Sequence, residues 1–382
     1  MKPRPFCIIL LCALPLPLLL TGCSLESFYP LLEESSAIEE AEETDVTTAR
    51  TRSEEEINSL VDEIIKQKND YDYNYDFDFS DDDPAESEDD LEFSFASDEP
   101  ELLYAPAENG IEIMEYIPMP DSDGHSPLIV PDKIDGQPVT AVADYGFTNA
   151  DYAHRIQLPD TIKQYGDYAF SGSSVTSFSP IADEIIMSDY CFADCTQLAN
   201  IILPDTPVTL GEYCFENSAA ADISGTDCKL TADSYCFQKM PKLENIALTG
   251  DIQLGEYCFD DCPVLSNVLL GGSLKLADYA FMRSAVSSLT ITECTDGTIG
   301  ENCFSDCYRL EHILIEEGIT EIGDYAFEEC PALQSVILPE SLSTIGDYAF
   351  SECSSDLMFE VPAGSYAEQF CEEHQFHYHA VS

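Results

Sequence analysis

Basic side chains are scarce in this chain. Lys and Arg number 15 against 74 Asp and Glu, a net charge of −59 over 382 residues. A nucleic-acid binder needs Lys and Arg to displace counterions from phosphates, so that class is excluded. Adhesion of the protein body to an anionic membrane surface is disfavoured for the same reason. Histidine is also rare, with six residues: His125, His154, His312, His374, His377 and His379. HExxH, the GxSxG elbow and a phosphate-binding glycine loop are all missing. So are paired CxxC knuckles, which removes the ligand spacing of a structural zinc site. Carboxylates are plentiful, but nothing singles out two of them as a glycosidase pair. The segment His374 to His379 is expected to be a surface strand of a C-terminal cap rather than a metal site. No catalytic residues, metal ligands or cofactors are therefore expected.

The chain also lacks an apolar run long enough to span a bilayer. Phe6 to Leu20 is too short and is interrupted by Pro15 and Pro17. Preceded by Lys2 and Arg4, it has the form of a secretory leader over residues 1–22. The leader ends in Leu20-Thr21-Gly22-Cys23, which resembles the bacterial lipobox. That resemblance implies cleavage before Cys23 and acylation of its thiol. Several acyl chains on one residue would hold the protein stably at a membrane.

Residues 24–100 hold 27 acidic and four basic side chains. Like charges repel, and few apolar residues are available to offset the cost of ordering, so a disordered acidic tether is expected over 23–100. Two islands interrupt it. Ser53-Glu54-Glu55-Glu56 reads as a capping box ahead of Ile57, Leu60, Val61, Ile64 and Ile65 on one helical face, a transient helix within the linker, with a docking helix for a partner as the alternative. Asp70 to Asp83 alternates acids with aromatics, but it lacks the glycine and the closing Glu of a calcium loop.

What the chain has in abundance is one repeat. Its closing aromatic falls at Phe147, Phe170, Phe192, Phe215, Phe237, Phe259, Phe281, Phe304, Phe327 and Phe350, always 22 or 23 residues apart. A period of this size marks a solenoid. The residue before each Phe is Gly, Ala or Cys, which predicts a tight buried slot. Two before it stands Tyr in nine of ten copies, with Asn302 the exception. Three before it stands Asp or Glu, with Ser234 the exception. About six residues after the Phe a strand of pattern apolar-x-x-apolar-x-apolar begins, as in Leu198-Ile201-Leu203 and Leu333-Val336-Leu338. One such strand cannot bury its apolar side, but stacked copies can. Pro204 and Pro339 end the strand, since Pro cannot donate to a ladder.

Ile322-Gly323-Asp324-Tyr325-Ala326-Phe327 through Cys330, followed by Leu333, Val336, Leu338 and Pro339, resembles the BspA-type leucine-rich-repeat family. The likeness covers roughly residues 103–382. Leu128 to Val139 resembles the family's opening segment, and Val361 to Ser365 its closing one. The expected fold is a β-rich solenoid of about ten rungs with short parallel strands. An N-terminal cap is expected at 101–140, the solenoid at 141–355 and a C-terminal cap at 356–382.

Thirteen cysteines fall in the repeats. Five sit in the slot before the Phe, and five sit three residues after it, at Cys195, Cys262, Cys307, Cys330 and Cys353. Most are expected to be buried reduced thiols packing as small hydrophobes, with a few disulfides as the alternative. The acidic row from Asp144 to Asp347 is expected to cap the turn that leads into Tyr-x-Phe. Divalent cation binding between rungs is the functional alternative.

Strand residues between the buried positions should face outward in a row and form the ligand face. They are Arg155, Gln157, Asn200, Ile202, Glu244, Asn245, Ala247, Asn267, Leu269, Thr290, Glu311, His312, Leu314 and Ile337. An exposed apolar row suits a protein contact; the alternative is that sheet twist partly covers these residues and they are merely strand formers. The family resemblance implies a lipid-anchored protein of the bacterial cell surface that adheres to a protein or glycan of a host or neighbouring cell. A cell-envelope scaffold is the alternative, and an unrecognised extracellular hydrolase is the third reading.

Overall fold

The computed structural model describes residues 101–381, apart from 108, 118–127, 151–155 and 179. The leader, Cys23, the acidic tether with its two islands, and Arg155 lie outside the described residues. The rest is a solenoid of about eleven turns, where the sequence predicts about ten.

The phenylalanines form its axis. Phe147 to Phe350 are all buried, and their rings stack in single file with centroids 4.7–5.4 Å apart from one rung to the next. That step is the natural spacing of paired strands, so ring stacking and backbone pairing demand the same rise per rung. The residue before each Phe is buried as expected, and Cys191, Cys214, Cys236 and Cys258 share that slot with Ala169, Ala280 and Ala326 at no exposure.

Most rungs carry two strand segments, whereas the sequence predicts one. The predicted ladder follows the Phe loop and runs in parallel register through Asn200–Ile202, Asp222–Ala232, Asn245–Leu254, Asn267–Leu276, Ser288–Ile299, His312–Ile315, Ser335–Ile337, Met358–Pro362 and His377–Val381. The other precedes the Gly-Asp-Tyr turn. It starts at Gly110–Ile117, continues through Gln137–Val142, Gln164–Tyr165, Ile185–Met187 and Pro207–Leu210, and ends at Ile319–Ile322 and Thr344–Ile345. Its inward residues alternate, as in Val208 and Leu210 or Ile252 and Leu254. In the middle rungs the two segments fuse into strands of 10–12 residues that turn a corner, at Asp227 and Glu293, both at positive φ, in the outer two and at stacked glycines in the central two. Gly250 and Gly272 have φ of +130° and +93° there. A Cβ on Gly250 would run into the Cys228 carbonyl oxygen, and one on Gly272 into that of Gly250.

The ends are closed differently. Lys133–Ile134 folds back on Gln137–Val142 through Asp135 and Gly136, both at positive φ, as a tight hairpin requires. At the C-terminus a helix, Tyr366–His374, lays Ala367, Phe370 and Cys371 against the last rung. Phe359, Phe370 and Phe376 meet the ring of Phe350, so the phenylalanine column does not end in solvent. The expected cap strand is present at His377–Val381, but His374 closes the helix and its Nδ1 lies 2.9 Å from the Phe370 carbonyl oxygen.

Candidate binding face

Parallel in-register pairing converts sequence alternation into straight rows of side chains. Along the ladder after the Phe loop, Ile201, Ile223, Ile246, Val268, Leu289, Ile313, Val336 and Phe359 point inward and are buried. The next residue of each strand points outward, giving the register row Ile202, Ser224, Ala247, Leu269, Thr290, Leu314, Ile337, Glu360. Ile202 is 51% exposed and Ile337 37%, while Leu269, Thr290 and Leu314 are half-buried by their neighbours. Glu244 and Glu311 are exposed just before their strands. Gln157 is exposed on a separate short pair of strands, Leu128–Ile129 with Ile156–Gln157.

A second row starts two residues earlier and behaves differently. Asn200, Asp222, Asn245, Asn267, Ser288, His312, Ser335 and Met358 stand in register. Asn245 Nδ2 donates to Asp222 Oδ1 at 2.8 Å, and Asn267 Nδ2 donates to Asn245 Oδ1 at 2.8 Å. The Asn200 amide, with its oxygen and nitrogen exchanged, reaches Asp222 Oδ2 at 3.3 Å. His312 Nδ1 lies 2.9 Å from Ser335 Oγ. These side chains therefore spend hydrogen-bonding capacity on each other. Ser224, Asp222, Met358 and Glu360 belong to the same face but escape the sequence pattern. In the rung of Asp222 and Ser224, Gly225 stands where the second inward apolar residue is expected, and the space beside it is taken by the Cys228 thiol.

Two other features organise the turn side of each rung. The residue two before the Phe has a left-handed backbone in every rung, from Tyr145 at φ +61° to Tyr348 at +58°, Asn302 included at +53°. Non-glycine residues avoid this region. Here ring stacking compensates: Tyr145, Tyr168, Tyr190, Tyr213, Tyr235, Tyr257 and Tyr279 lie 4.7–5.1 Å apart and nearly parallel. Burial in the stack, followed by the neighbouring Tyr168 and Tyr213, pushes the Tyr190 phenol up to about 12.

The acidic row does not cap its own turn. Asp144, Asp167, Asp189, Asp278 and Asp324 each accept the backbone N–H of the corresponding residue one rung later, at 2.8–3.1 Å. At the interruption, the Ser234 N–H is taken by Asp233 at 2.8 Å. Stacked carboxylates thus each hold a donor as well as facing one another, which offsets their repulsion. Among the described residues no cluster of His, Cys, Asp and Glu has metal-site geometry.

All thirteen cysteines of the repeats are free, twelve buried and Cys353 half-buried. Packing alone does not explain the five that follow the Phe. Cys195, Cys262, Cys307, Cys330 and Cys353 donate Sγ–H to the Phe carbonyl of the preceding rung at 3.2–3.4 Å. Ser218 and Ser284 occupy the same position and donate Oγ–H to the equivalent carbonyl at 2.5 Å. Burial pushes the Cys195 and Cys262 thiols up to about 12, so they are poor nucleophiles. A buried carboxylate that the sequence does not flag, Asp260, is held by Arg283 through Nε at 3.0 Å and a terminal nitrogen at 2.6 Å, and by Gln238 at 2.9 Å.

The family described as BspA type leucine rich repeat region matches in six copies, over residues 133–229, 181–284 and 231–356. Similar solved structures include a leucine-rich repeat protein from Bacteroides ovatus, 19% identical over 76% of this chain and 100% of that one, with TM-score 0.42. A leucine-rich repeat protein of T. pallidum is 20% identical over 55% and 87%, with TM-score 0.39. A leucine-rich cell surface protein from Faecalibacterium prausnitzii is 17% identical over 70% and 94%, with TM-score 0.27. No curated protein matches. With its family match extending over more than half of its length, the chain belongs to the BspA type leucine-rich repeat family.

Proposed function

We propose that this chain is a protein-binding molecule of the bacterial surface, docking its partner on the outward face of the ladder that follows the Phe loop. The observation that carries this reading is the register row Ile202, Ala247, Leu269, Leu314 and Ile337, where aliphatic side chains stand on the outside of a sheet whose inside is already filled. A solenoid strand needs no outward aliphatics to fold, so a row of them is a surface awaiting cover. Asp222, Glu244, Glu311 and Glu360 flank the row and select a partner that carries basic groups around an apolar centre. Names of solved relatives, among them a cell surface protein and a pneumococcal vaccine antigen, support the location. Acylated Cys23 would supply the anchor and the acidic segment 23–100 the spacer. Adhesion to a host or neighbouring cell fits this arrangement better than catalysis.

The test is binding of the full chain to extracellular-matrix proteins and to intact cells. Leu314→Glu combined with Ile337→Glu should abolish capture while the chain still folds and unfolds in one cooperative transition. Capture that survives the double substitution would remove this face from the reading. Selective capture of proteins from the producing cell's own envelope would favour the scaffold role instead. Incorporation of labelled palmitate, lost in Cys23→Ala, tests the anchor.

A further inference from the structure

The tyrosine stack is broken at one rung. Tyr279 closes the run of parallel rings, Tyr325 and Tyr348 resume it at 5.3 Å and 11°, and Asn302 stands between. The backbone does not break with it. Tyr279 N–H donates to Glu301 O at 2.9 Å, Asn302 N–H to Asp324 O at 2.9 Å, and Tyr325 N–H to Asp347 O at 3.0 Å. Beneath them Phe281, Phe304 and Phe327 stack at 4.7 and 5.4 Å, so the rungs are held apart and cannot collapse onto the missing ring. Two rung steps therefore separate the Tyr279 and Tyr325 rings by about 10 Å. The carboxamide of Asn302 is shorter than the ring it replaces, and at the floor of the gap its Nδ2 donates to Glu301 Oε1 at 3.2 Å.

We propose that this slot receives a cationic side chain of a partner protein, an arginine guanidinium inserted between Tyr279 and Tyr325. A cation centred in the gap lies about 5 Å from each ring centroid, inside the range of about 6 Å over which an aromatic face attracts positive charge. The planar guanidinium presents its own faces to both rings and its N–H fork to the floor. There the Asn302 carboxamide oxygen and the Glu301 carboxylate accept. The Asp324 and Glu328 charges act on Tyr325, Asp278 Oδ1 holds the Glu301 N–H at 2.8 Å, and the net charge of −59 adds a field that draws cations. A neutral apolar ring would instead press carbon against an amide and a carboxylate and strip them of water. The slot follows the carboxylate row of the turns, not the strand row, and stands whether or not that row binds protein.

The experiment titrates the full-length chain with the pentapeptide acetyl-Gly-Gly-Arg-Gly-Gly-amide and with its citrulline analogue, which keeps the planar group and loses the charge. The arginine peptide should bind about tenfold or more tightly than the citrulline one. Asn302→Tyr should weaken arginine binding by about tenfold or more while leaving net charge unaltered and the melting temperature equal or higher, because it completes the stack. Tyr325→Ala should weaken it as well. Equal binding by Asn302→Tyr and the unaltered chain would mean diffuse attraction to the acidic surface and would overturn the proposal. So would equal affinity for both peptides, or binding of neutral hexose oligosaccharides in place of arginine. Leu314→Glu with Ile337→Glu should leave the peptide titration unchanged, which separates this slot from the strand face.

Discussion

A tyrosine in the left-handed region is an odd choice, since the backbone cost there is about 1–2 kcal/mol for a residue with a Cβ. Each pair of the stack is shared by two rings, so stacking returns about 0.5–1.5 kcal/mol per tyrosine beyond burial and offsets most of the backbone cost. Tyr213 tests the two contributions separately, because its rings on both sides lie 4.8 Å away and its φ is +56°. Tyr213→Ala keeps the strain and loses both contacts, and should destabilise by about 2–3 kcal/mol. Tyr213→Gly loses the same contacts but relieves the strain, and should be about 1 kcal/mol more stable than the Ala variant. Urea midpoints read the difference, and an Ala variant no worse than Gly would contradict it. The exchange of Ser and Cys after the Phe has an equally local cause. Ser284→Ala leaves the Phe259 carbonyl and the Cys262 N–H without Oγ, which now bonds them at 2.5 and 2.9 Å. It should cost about 1–3 kcal/mol. Ser284→Cys should cost measurably less, since a thiol makes the same bond in five other rungs.

Among the elements, the C-terminal helix closes the phenylalanine column, and its start is fixed by a reciprocal cap. Ser365 Oγ accepts the Glu368 N–H at 3.1 Å, and Glu368 Oε2 accepts the Gly364 N–H at 2.6 Å. Ser365→Ala should cost about 1 kcal/mol, and faster amide exchange confined to residues 366–381 would show that the loss is local. Phe370→Ala should cost about 3–5 kcal/mol, because it opens the buried end against Phe350. Both signals lie in the sequence. Ser365-Tyr366-Ala367-Glu368 is a capping box, but beside Val361 and Pro362 it reads as a closing segment. The ladder before the Gly-Asp-Tyr turn is missed for a related reason: Val208 with Leu210 and Leu274 with Leu276 are single alternations, too short to declare a strand without their stacked partners. The phenylalanine column and the other ladder are legible because their period alone places them. What a single rung cannot show is register between rungs. The bonds from Asp222 to Asn245 to Asn267, the carboxylate of one rung on the N–H of the next, and the gap that Asn302 leaves between two rings all depend on it.

For the whole molecule, the acidic surface sets how stability responds to pH and salt. Burial, then the Asp144 charge, raises the carboxyl pKa of both Asp167 and Glu112 above the ordinary range. Asp306 raises that of Glu329 through a hydrogen bond and its charge. A carboxyl group with a raised folded pKa binds protons more readily in the folded chain than in the unfolded one, so stability falls as pH rises through that value. Protonation relieves the penalty in the folded chain first. The opposite case, Asp183, is lowered by Lys163 through an exposed contact and contributes little. With 74 acidic and 15 basic side chains the balance lies with repulsion. The melting temperature should therefore rise as pH is lowered from neutrality toward about 4, the ordinary carboxylate range. At neutral pH it should rise with added sodium chloride, whose ions screen exposed charges beyond about 8–10 Å. The two effects share one cause and should not add: high salt should flatten the dependence on pH. Calorimetric scans over a grid of pH and salt check this, and a melting temperature that fell on mild acidification would show that the inter-rung carboxylate bonds outweigh the repulsion between rungs.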